Sequence, residues 1–557
     1  MRAFFAAAVA AMLAATPPDG RRPAPPEPRA SLSALARAGP PWDAGRVDAL
    51  IGELLGSASR FAADPAFRAV RMKLLAAACP PGVPFALREM LLFGFWRDGR
   101  IPFDDFEIVQ RSWGAAPRTS SERRDRFPPG GWRFASDDRG ALEASVFSLP
   151  TAYVDRVAAE RFLAAVRRDD PARSILVLLD PAGRIELESS AAADRITVLD
   201  TFGLPYTPWT RDTFSLLRNA SGRVRVLVRP ASLLQGDRES DNTMGRELVK
   251  DLPAALDSAW GRPRWAVSPV PFHNGQVLLT PEAALVSVHT IEPRILQILG
   301  VRSVPVASFA RPEGVARYLG AARRAAAELA ALYGRPVRFV HPLPSSGSAL
   351  EQQAAMDRIG GGAGFDLDSL LTVVERPGGG EEAFVADVGK GRELLRAATE
   401  GHLEAFRAEF RLKPGPAGLR ELLLEYAKSP RTARLGAFLD SMASELEAGG
   451  FRVRRLPFFL VPDAIAADDA RLTAQDFQIS WNNVVVETRE TVRRAEGFSN
   501  GLAEGDETAA RVFGEAGYRM EFLPPLAGSI MHNGGYRCAS NHLRSADAFL
   551  SPARPSP

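Results

Sequence analysis

The chain has 557 residues, of which 46% are hydrophobic and 24% charged, the composition of a globular protein long enough for a large core plus an accessory region. Its 69 Lys and Arg against 66 Asp and Glu leave a net charge of +3; with no dense basic block, this excludes binding to nucleic acid through a basic face. Two cysteines, Cys79 and Cys538, exclude a disulfide framework and a cysteine-rich zinc or iron–sulfur site.

At the start, an Ala-rich apolar run from Phe4 to Thr16 follows a single charge, Arg2. It is too short to span a bilayer as a helix, and it has the pattern of a secretory signal over residues 1–16. Residues 17–29 (PPDGRRPAPPEPR) read as a Pro-rich tether. The expectation is export, to a periplasm or the medium, with no integral membrane segment. Residues 30–145 are expected to form an all-helical accessory region. Val47, Leu50, Ile51, Leu54 and Leu55 share one stripe at helical spacing. A second helix through RAVRMKLLAAAC ends at Pro80, FALREMLLFGFW makes a third, and 113–140 reads as a polar linker.

From about 155 the pattern changes to helices alternating with apolar strands. The helix AAERFLAAVRR leads to SILVLLD and RITVLD, then RVRVLVR. EGVARYLGAARRAAAELAALYG precedes VRFVHPL, LGAFLDSMASELEAG precedes FRVRRLPFFL, and DETAARVFGEAG precedes YRMEFLPPL. A unit of helix, strand, loop and strand recurs four or five times, which predicts an α/β array. Loops at one end of such strands converge, so a site can draw on residues hundreds of positions apart.

Five loop strings concentrate polar residues between apolar runs: TPWTRDTF (207–214), FHNGQVLL (272–279), GGAGFDLDSLL (361–371), ISWNNVVVE (479–487) and NGGYRCASNHLR (533–544). The six histidines show no H-x-x-x-H or H-E-x-x-H spacing, so no metal site is expected. There is no G-x-x-x-x-G-K-[ST] and no strand-linked G-x-G-x-x-G, so no nucleotide cofactor is expected either. The glycine runs at 360–362 and 378–380 read as turns.

Taken in order, the five strings resemble the guanidino-group-modifying superfamily: agmatine deiminase, arginine deiminase, peptidylarginine deiminase and the amidinotransferases. W-T-R-D at 209–212 resembles that family's W-x-R-D, and H-N-G-Q-V-L at 273–278 sits where E-G-G-[ND]-x-L is usual. D-L-D at 366–368 sits where H-x-D is usual, and S-W-N-N at 480–483 resembles S-Y-x-N. G-G-Y-R-C-A-S-N at 534–541 resembles the G-G-x-H-C-x-T-[NQ] loop that carries the family's nucleophile. The resemblance covers roughly 155–550. It implies a five-unit pseudosymmetric α/β propeller (the pentein fold) over that span, preceded by the helical region.

The activity so implied is cysteine-dependent hydrolysis of a guanidino group to a ureido product and ammonia, through a covalent amidino-thioether and without a cofactor. The partner would be a small guanidino compound or an arginyl peptide. The resemblance makes Cys538 the nucleophile and Asp212 and Asp368 the carboxylates that take the N–H edges of the planar cation. Trp209, Arg211, Asn483 and Asn541 come from the same motifs and are expected at the substrate. The usual histidine of H-x-D reads Asp366 and the usual glutamate of E-G-G reads His273. The expectation is an exchanged pair, with His273 supplying the imidazole and Asp366 orienting it. Arg537 and His532 flank the nucleophile. Alternatives stay open for each residue: Asp212 in a surface pair with Arg211, Asp366 and Asp368 facing solvent from an alternating strand, and His273 structural. Cys538 could be a packing residue or a partner of Cys79. Amidinotransfer, or a non-catalytic binding or scaffold role on the same fold, are the other functions the resemblance allows.

Overall fold

The computed structural model describes residues 132–151, 153–170, 173–179, 196–200, 206–219, 225–230, 236–251, 263–268, 270, 272–299, 312–340, 366–414, 418–465 and 476–545. The chain divides into two compact units, 1–118 and 119–557, and everything below belongs to the second. The signal-like start, the tether, the helices expected over 42–112 and Cys79 lie outside the described residues. No helix among the described residues is long and apolar enough to cross a membrane.

The described residues form an α/β structure with five separate sheets. The first joins Trp132–Phe134, Ser215–Asn219, Arg225–Arg229 and Arg264–Val267; the second joins Val277–Leu279, Ala284–Val286 and Val337–Phe339. The third contains Leu371–Glu375, Glu381–Asp387, Arg452–Val461 and Phe477–Ser480, and the fourth Val485–Thr488, Arg493–Phe498 and Arg519–Leu523. The fifth unites the two ends of the described chain: Ser540–Arg544 pairs antiparallel with Leu142–Ser148, which pairs parallel with Ser174–Leu179, followed by Ile196–Asp200. In every sheet an antiparallel pair is followed by a parallel partner reached through helix. Parallel strands need such crossovers, whereas antiparallel neighbours need only a turn.

Local sequence explains the elements. Ser174–Leu179 (SILVLL) is almost wholly buried, as a strand flanked on both sides by parallel neighbours requires. In the helix Pro312–Tyr333, Val315, Tyr318, Ala321, Ala322, Ala325, Leu329, Leu332 and Tyr333 are buried, one stripe at helical period with Pro at the first position. Pro430–Ala448 starts the same way, with Ser429 capping the N–H of Thr432.

Two expectations are corrected. The region read as helical to residue 145 ends in the strands Trp132–Phe134 and Leu142–Ser148, so the α/β body begins before 155. LEASVFS was missed because its partners, Ser540–Arg544 and Ser174–Leu179, lie far away in sequence and supply the pairing that the local pattern does not advertise. The linker read over 113–140 likewise contains part of the first sheet.

A buried ion pair ties the fifth sheet to the fourth. Arg173, just before Ser174–Leu179, donates from Nη1 to Glu496 Oε2 at 2.7 Å, and its Nη2 bonds the other carboxylate oxygen. Tyr536, two residues before Cys538, donates its hydroxyl to the same carboxylate at 3.0 Å. Burial opposes ionisation of Glu496, but the Arg173 guanidinium overcomes it and holds the carboxyl below its usual range. Removing one partner of such a pair leaves a desolvated charge, so Arg173→Met is expected to lower unfolding free energy by about 3–5 kcal/mol. Urea titration of the two proteins checks this.

Candidate active site

Cys538 sits in the turn before Ser540–Arg544 and is 2% exposed, as a free thiol. Its surroundings are polar, which separates it from a packing cysteine. Asn483, in the turn after Phe477–Ser480, holds it from two sides. Asn483 Oδ1 accepts from the Cys538 backbone N–H at 3.1 Å, and Asn483 Nδ2 lies 3.0 Å from Cys538 Sγ. The same amide nitrogen is 3.2 Å from Asp368 Oδ1 and 3.0 Å from Ser369 Oγ. Cys538 Sγ itself is 3.5 Å from Asp368 Oδ1. One asparagine thus fixes the sulfur and the nearest carboxylate relative to each other.

Asp366 and Asp368 do not alternate along a strand, contrary to the solvent-facing alternative. Asp366 precedes the short helix Leu367–Leu370, and Asp368 lies in its first turn, fully buried. The helical bend turns both carboxylates towards the sulfur, and a donor atom from each of Asp366, Asp368 and Cys538 falls within 4.8 Å of the others. Such a thiolate and carboxylate set is also one that a divalent cation can take. Asp212, in the single turn Thr210–Asp212, completes the acidic wall. Its Oδ1 accepts the Gly275 N–H at 3.0 Å and its Oδ2 accepts Arg238 Nη2 at 2.8 Å. Gly275 is needed here: a Cβ would stand 2.7 Å from Asp366 Cγ.

His273 Nδ1 lies 3.7 Å from Asp212 Oδ1 and 3.7 Å from Asp366 Oδ1, with its side chain 32% exposed. That nitrogen has no hydrogen-bond partner, while Gln276 Nε2 donates to Asp366 Oδ1 at 2.9 Å. The His273 and Asp366 side chains are therefore neighbours, and the imidazole bridges the two outer carboxylates at the edge of the site.

The electrostatics follow from burying three acids and a thiol together. Burial pushes Asp212 up, but His273, Arg238 and the Gly275 N–H overcome it and hold its carboxyl below the usual range. Asp366 is raised by burial and by the Asp212 charge. Asp368 is pushed up to about 8 by burial, reinforced by Asp366 and Asp212 and opposed by Arg537. Cys538 is raised well above its ordinary value by burial and by the three carboxylates, with the Asn483 bond as partial relief. The resting pair of thiol and Asp368 is thus neutral at pH 7, and a cation placed between them reverses the sign of that repulsion.

Other expected residues divide. Trp209 is half-buried beside the site, and its ring carries the Arg238 guanidinium 4.9 Å from the centroid; it meets Tyr153 edge-on at 5.6 Å. The Arg211 guanidinium bonds Asp137 at 2.9 Å, not Asp212, and lines a separate small cavity. The Asn541 amide donates to the backbone carbonyls of Thr210 at 3.1 Å and Phe214 at 2.7 Å; it shapes the Asp212 turn. Arg537 Nε stands 3.8 Å from Asp368 Oδ2. His532 bonds the Gly528 carbonyl through Nδ1 at 2.7 Å. The sequence reading missed Arg238, its second partner Asp241 at 3.3 Å, and Gln276. The polar string GDRESDN (236–242) was the available signal for the first two.

No protein-family model and no curated protein matches this sequence. Its structural neighbours include agmatine deiminases, an arginine deiminase and dimethylarginine dimethylaminohydrolase, enzymes of the guanidino-modifying superfamily. The agmatine deiminase of C. jejuni is 11% identical, with 74% of this chain and 96% of that one covered at a TM-score of 0.44. The agmatine deiminase of Enterococcus faecalis is 10% identical, with 74% and 95% covered at 0.42. DDAH from Pseudomonas aeruginosa, solved with citrulline, is 10% identical, with 72% and 99% covered at 0.31. At these identities and TM-scores, the chemistry has to be read from the side chains of the site itself.

Asp368 carries a stability consequence. Its carboxyl is raised from 3.8 to about 8 on folding, so the folded state holds a proton that the unfolded chain releases. Stability therefore falls as pH rises from about 4 towards 8. Asp368→Asn, neutral throughout, is expected to match the native protein at pH 4 and exceed it by about 2–5 kcal/mol at pH 8. Denaturant titrations at the two pH values read the difference; a constant offset at both would contradict the assignment.

Proposed function

We propose that this chain is a cysteine-dependent hydrolase of a guanidino group, exported from the cell, in which the five sheets form a five-unit propeller of pentein type. The observation that carries the reading is the thiol of Cys538 placed 3.5 Å from the buried Asp368, in a cluster that also holds the half-buried Asp366 and is flanked by the buried Asp212. Acids whose ionisation is opposed by burial and by one another are favoured in their charged forms by a cation, and a guanidinium is planar, with N–H edges that match carboxylates. Asp368 Oδ2 has no hydrogen-bond partner in the structure, which leaves it available to such an edge.

The reaction then runs as follows. The bound guanidinium lowers the thiol pKa by its charge, and the proton of Cys538 passes to a neighbouring carboxylate. The thiolate attacks the guanidino carbon and forms a C–S bond. One C–N bond breaks as His273 delivers a proton, and ammonia leaves. Water, deprotonated by the same imidazole, adds to the amidino-thioether; the C–S bond breaks, the sulfur takes back its proton from the carboxylate, the proton of the added hydroxyl is lost to solvent, and the ureido product departs. His273 suits this work because it is partly exposed and its Nδ1 lies 3.7 Å from a carboxylate oxygen of both Asp212 and Asp366. Arginine, an arginine derivative and an arginyl side chain all fit this chemistry.

One observation favours a second reading, a guanidino-binding module without turnover. The carboxylate of Asp212 is already paired with the chain's own guanidinium, Arg238, and the position of the usual histidine is Asp366.

Incubation with arginine, agmatine and an arginyl peptide, followed by measurement of ammonia and ureido product, tests both. The first reading expects release that falls by about 10³-fold or more in Cys538→Ala and by about 10²–10⁴-fold in His273→Ala. A folded Cys538→Ala protein with unchanged turnover would end the covalent mechanism. Guanidino-ligand binding without any product would select the second reading.

A further inference from the structure

We propose a second site, behind the thiol: a buried cavity that takes one small monovalent anion of chloride size. It lies between the first and fifth sheets and has a volume of about 30 Å³, lined by Asp137, Arg211, Arg537, Asn541, His542 and Arg544 among others. A space of that size admits a water molecule or a halide ion.

The charge around it is unbalanced. Arg211 and Arg537 each direct Nη2 to the one carboxylate of Asp137, at 2.9 Å on Oδ1 and 2.9 Å on Oδ2. That carboxylate also accepts the Leu279 N–H at 2.7 Å. Arg544 donates only to carbonyl oxygens, those of Asp137 at 2.7 Å, Arg139 at 2.9 Å and Val486 at 2.9 Å. Carbonyls offer dipoles but no net charge. Arg335 bonds a lining residue, Ser136 Oγ at 3.2 Å, and the Phe134 carbonyl at 2.7 Å.

The remaining acids do not restore neutrality. Asp138 lines the adjoining void and is pushed up to about 7 by burial and by Glu381. Asp368 faces Arg537 from the thiol side, at 3.8 Å from Nε. Glu487 is engaged by Arg489 and Arg494. Three guanidiniums, those of Arg211, Arg537 and Arg544, therefore line the cavity with Asp137 as the one carboxylate among its lining residues, in a setting where unpaired charge is costly.

The cavity wall also carries an unanswered donor. Arg211 Nε is buried and has no hydrogen-bond partner. Neither Asn541 nor His542 competes for the anion. The Asn541 amide is taken by backbone carbonyls, and the His542 ring nitrogens meet Ser145 Oγ at 3.0 Å and Ser540 Oγ at 2.8 Å. A halide accepting from Arg211 Nε would supply the missing acceptor and a negative charge among these guanidiniums. Because the Arg211 backbone N–H donates to the Cys538 carbonyl at 3.1 Å, the bound anion would brace the turn that carries the sulfur.

Crystals of the full chain soaked in bromide, with data taken at the bromine edge, give the direct test. An anomalous peak inside the cavity, within hydrogen-bond reach of Arg211 Nε, is the expected result. Bromide confined to the surface, or density in the cavity without anomalous signal, overturns the site. In solution at constant ionic strength, replacing gluconate by chloride is expected to raise the unfolding midpoint by roughly 2 °C. Arg211→Gln is expected to lose that rise; equal midpoints in the two salts for the native chain would also overturn it.

Discussion

Three carboxylates and one thiol share a buried space, and the repulsion among them governs the site. Asp212 alone is held below the usual carboxylate range, because His273 and Arg238 face it. Asp366, Asp368 and Cys538 are all pushed the other way, first by burial and then by one another's charge. A planar cation entering between them would remove the repulsion that keeps the proton on sulfur. Activation would thereby be tied to occupancy, and a resting thiol would stay in its unreactive form.

Holding like charges together costs stability, and the fold carries that cost through rigid neighbours. Asn483 contacts the sulfur, the Asp368 carboxylate and the Cys538 backbone at once. Gly535 allows its close approach, since a Cβ there would lie 2.5 Å from Asn483 Cβ. Behind the loop, Tyr536 is anchored on the Arg173–Glu496 pair. The supports come from loops and strands of more than one sheet, so the geometry of a few side chains depends on the relative placement of several sheets. This is why residues as far apart in sequence as Asp212 and Cys538 serve one site.

What could be read from the sequence was what local pattern encodes. The stripe in 312–333, the apolar runs SILVLL and FFLV, and the polar strings between strands all appear as elements or turns at the expected places. The elements that escaped are set by distant partners. Leu142–Ser148 becomes a strand between two others whose paired residues lie 30 or more positions away, and Leu367–Leu370 is a single helical turn, too short to show a period. Within the site, residue type pointed to Cys538, Asp212, His273, Asp366 and Asp368, whose side chains do gather. The direction of a side chain is not written in a motif: Arg211 and Asn541 share strings with Asp212 and Cys538, yet one turns to Asp137 and the other to backbone carbonyls.

Arg238 sharpens the functional question. Its guanidinium is bonded by Asp212, approached by Asp241 and laid over Trp209, so this corner recognises a guanidinium by carboxylate and by aromatic face together. If a substrate used the same corner, Arg238 would have to leave, and Asp212 would exchange one partner for another of equal charge. If Arg238 stays, the incoming cation has only Asp366 and Asp368 beside the sulfur, and the Arg238 charge lies alongside it as a repulsive neighbour. The first arrangement makes Arg238 a competitor within the chain; the second makes it a filter against substrates carrying further positive charge near the guanidino group. Both leave Asp368 as the carboxylate that the reacting carbon must meet, because it alone touches the sulfur.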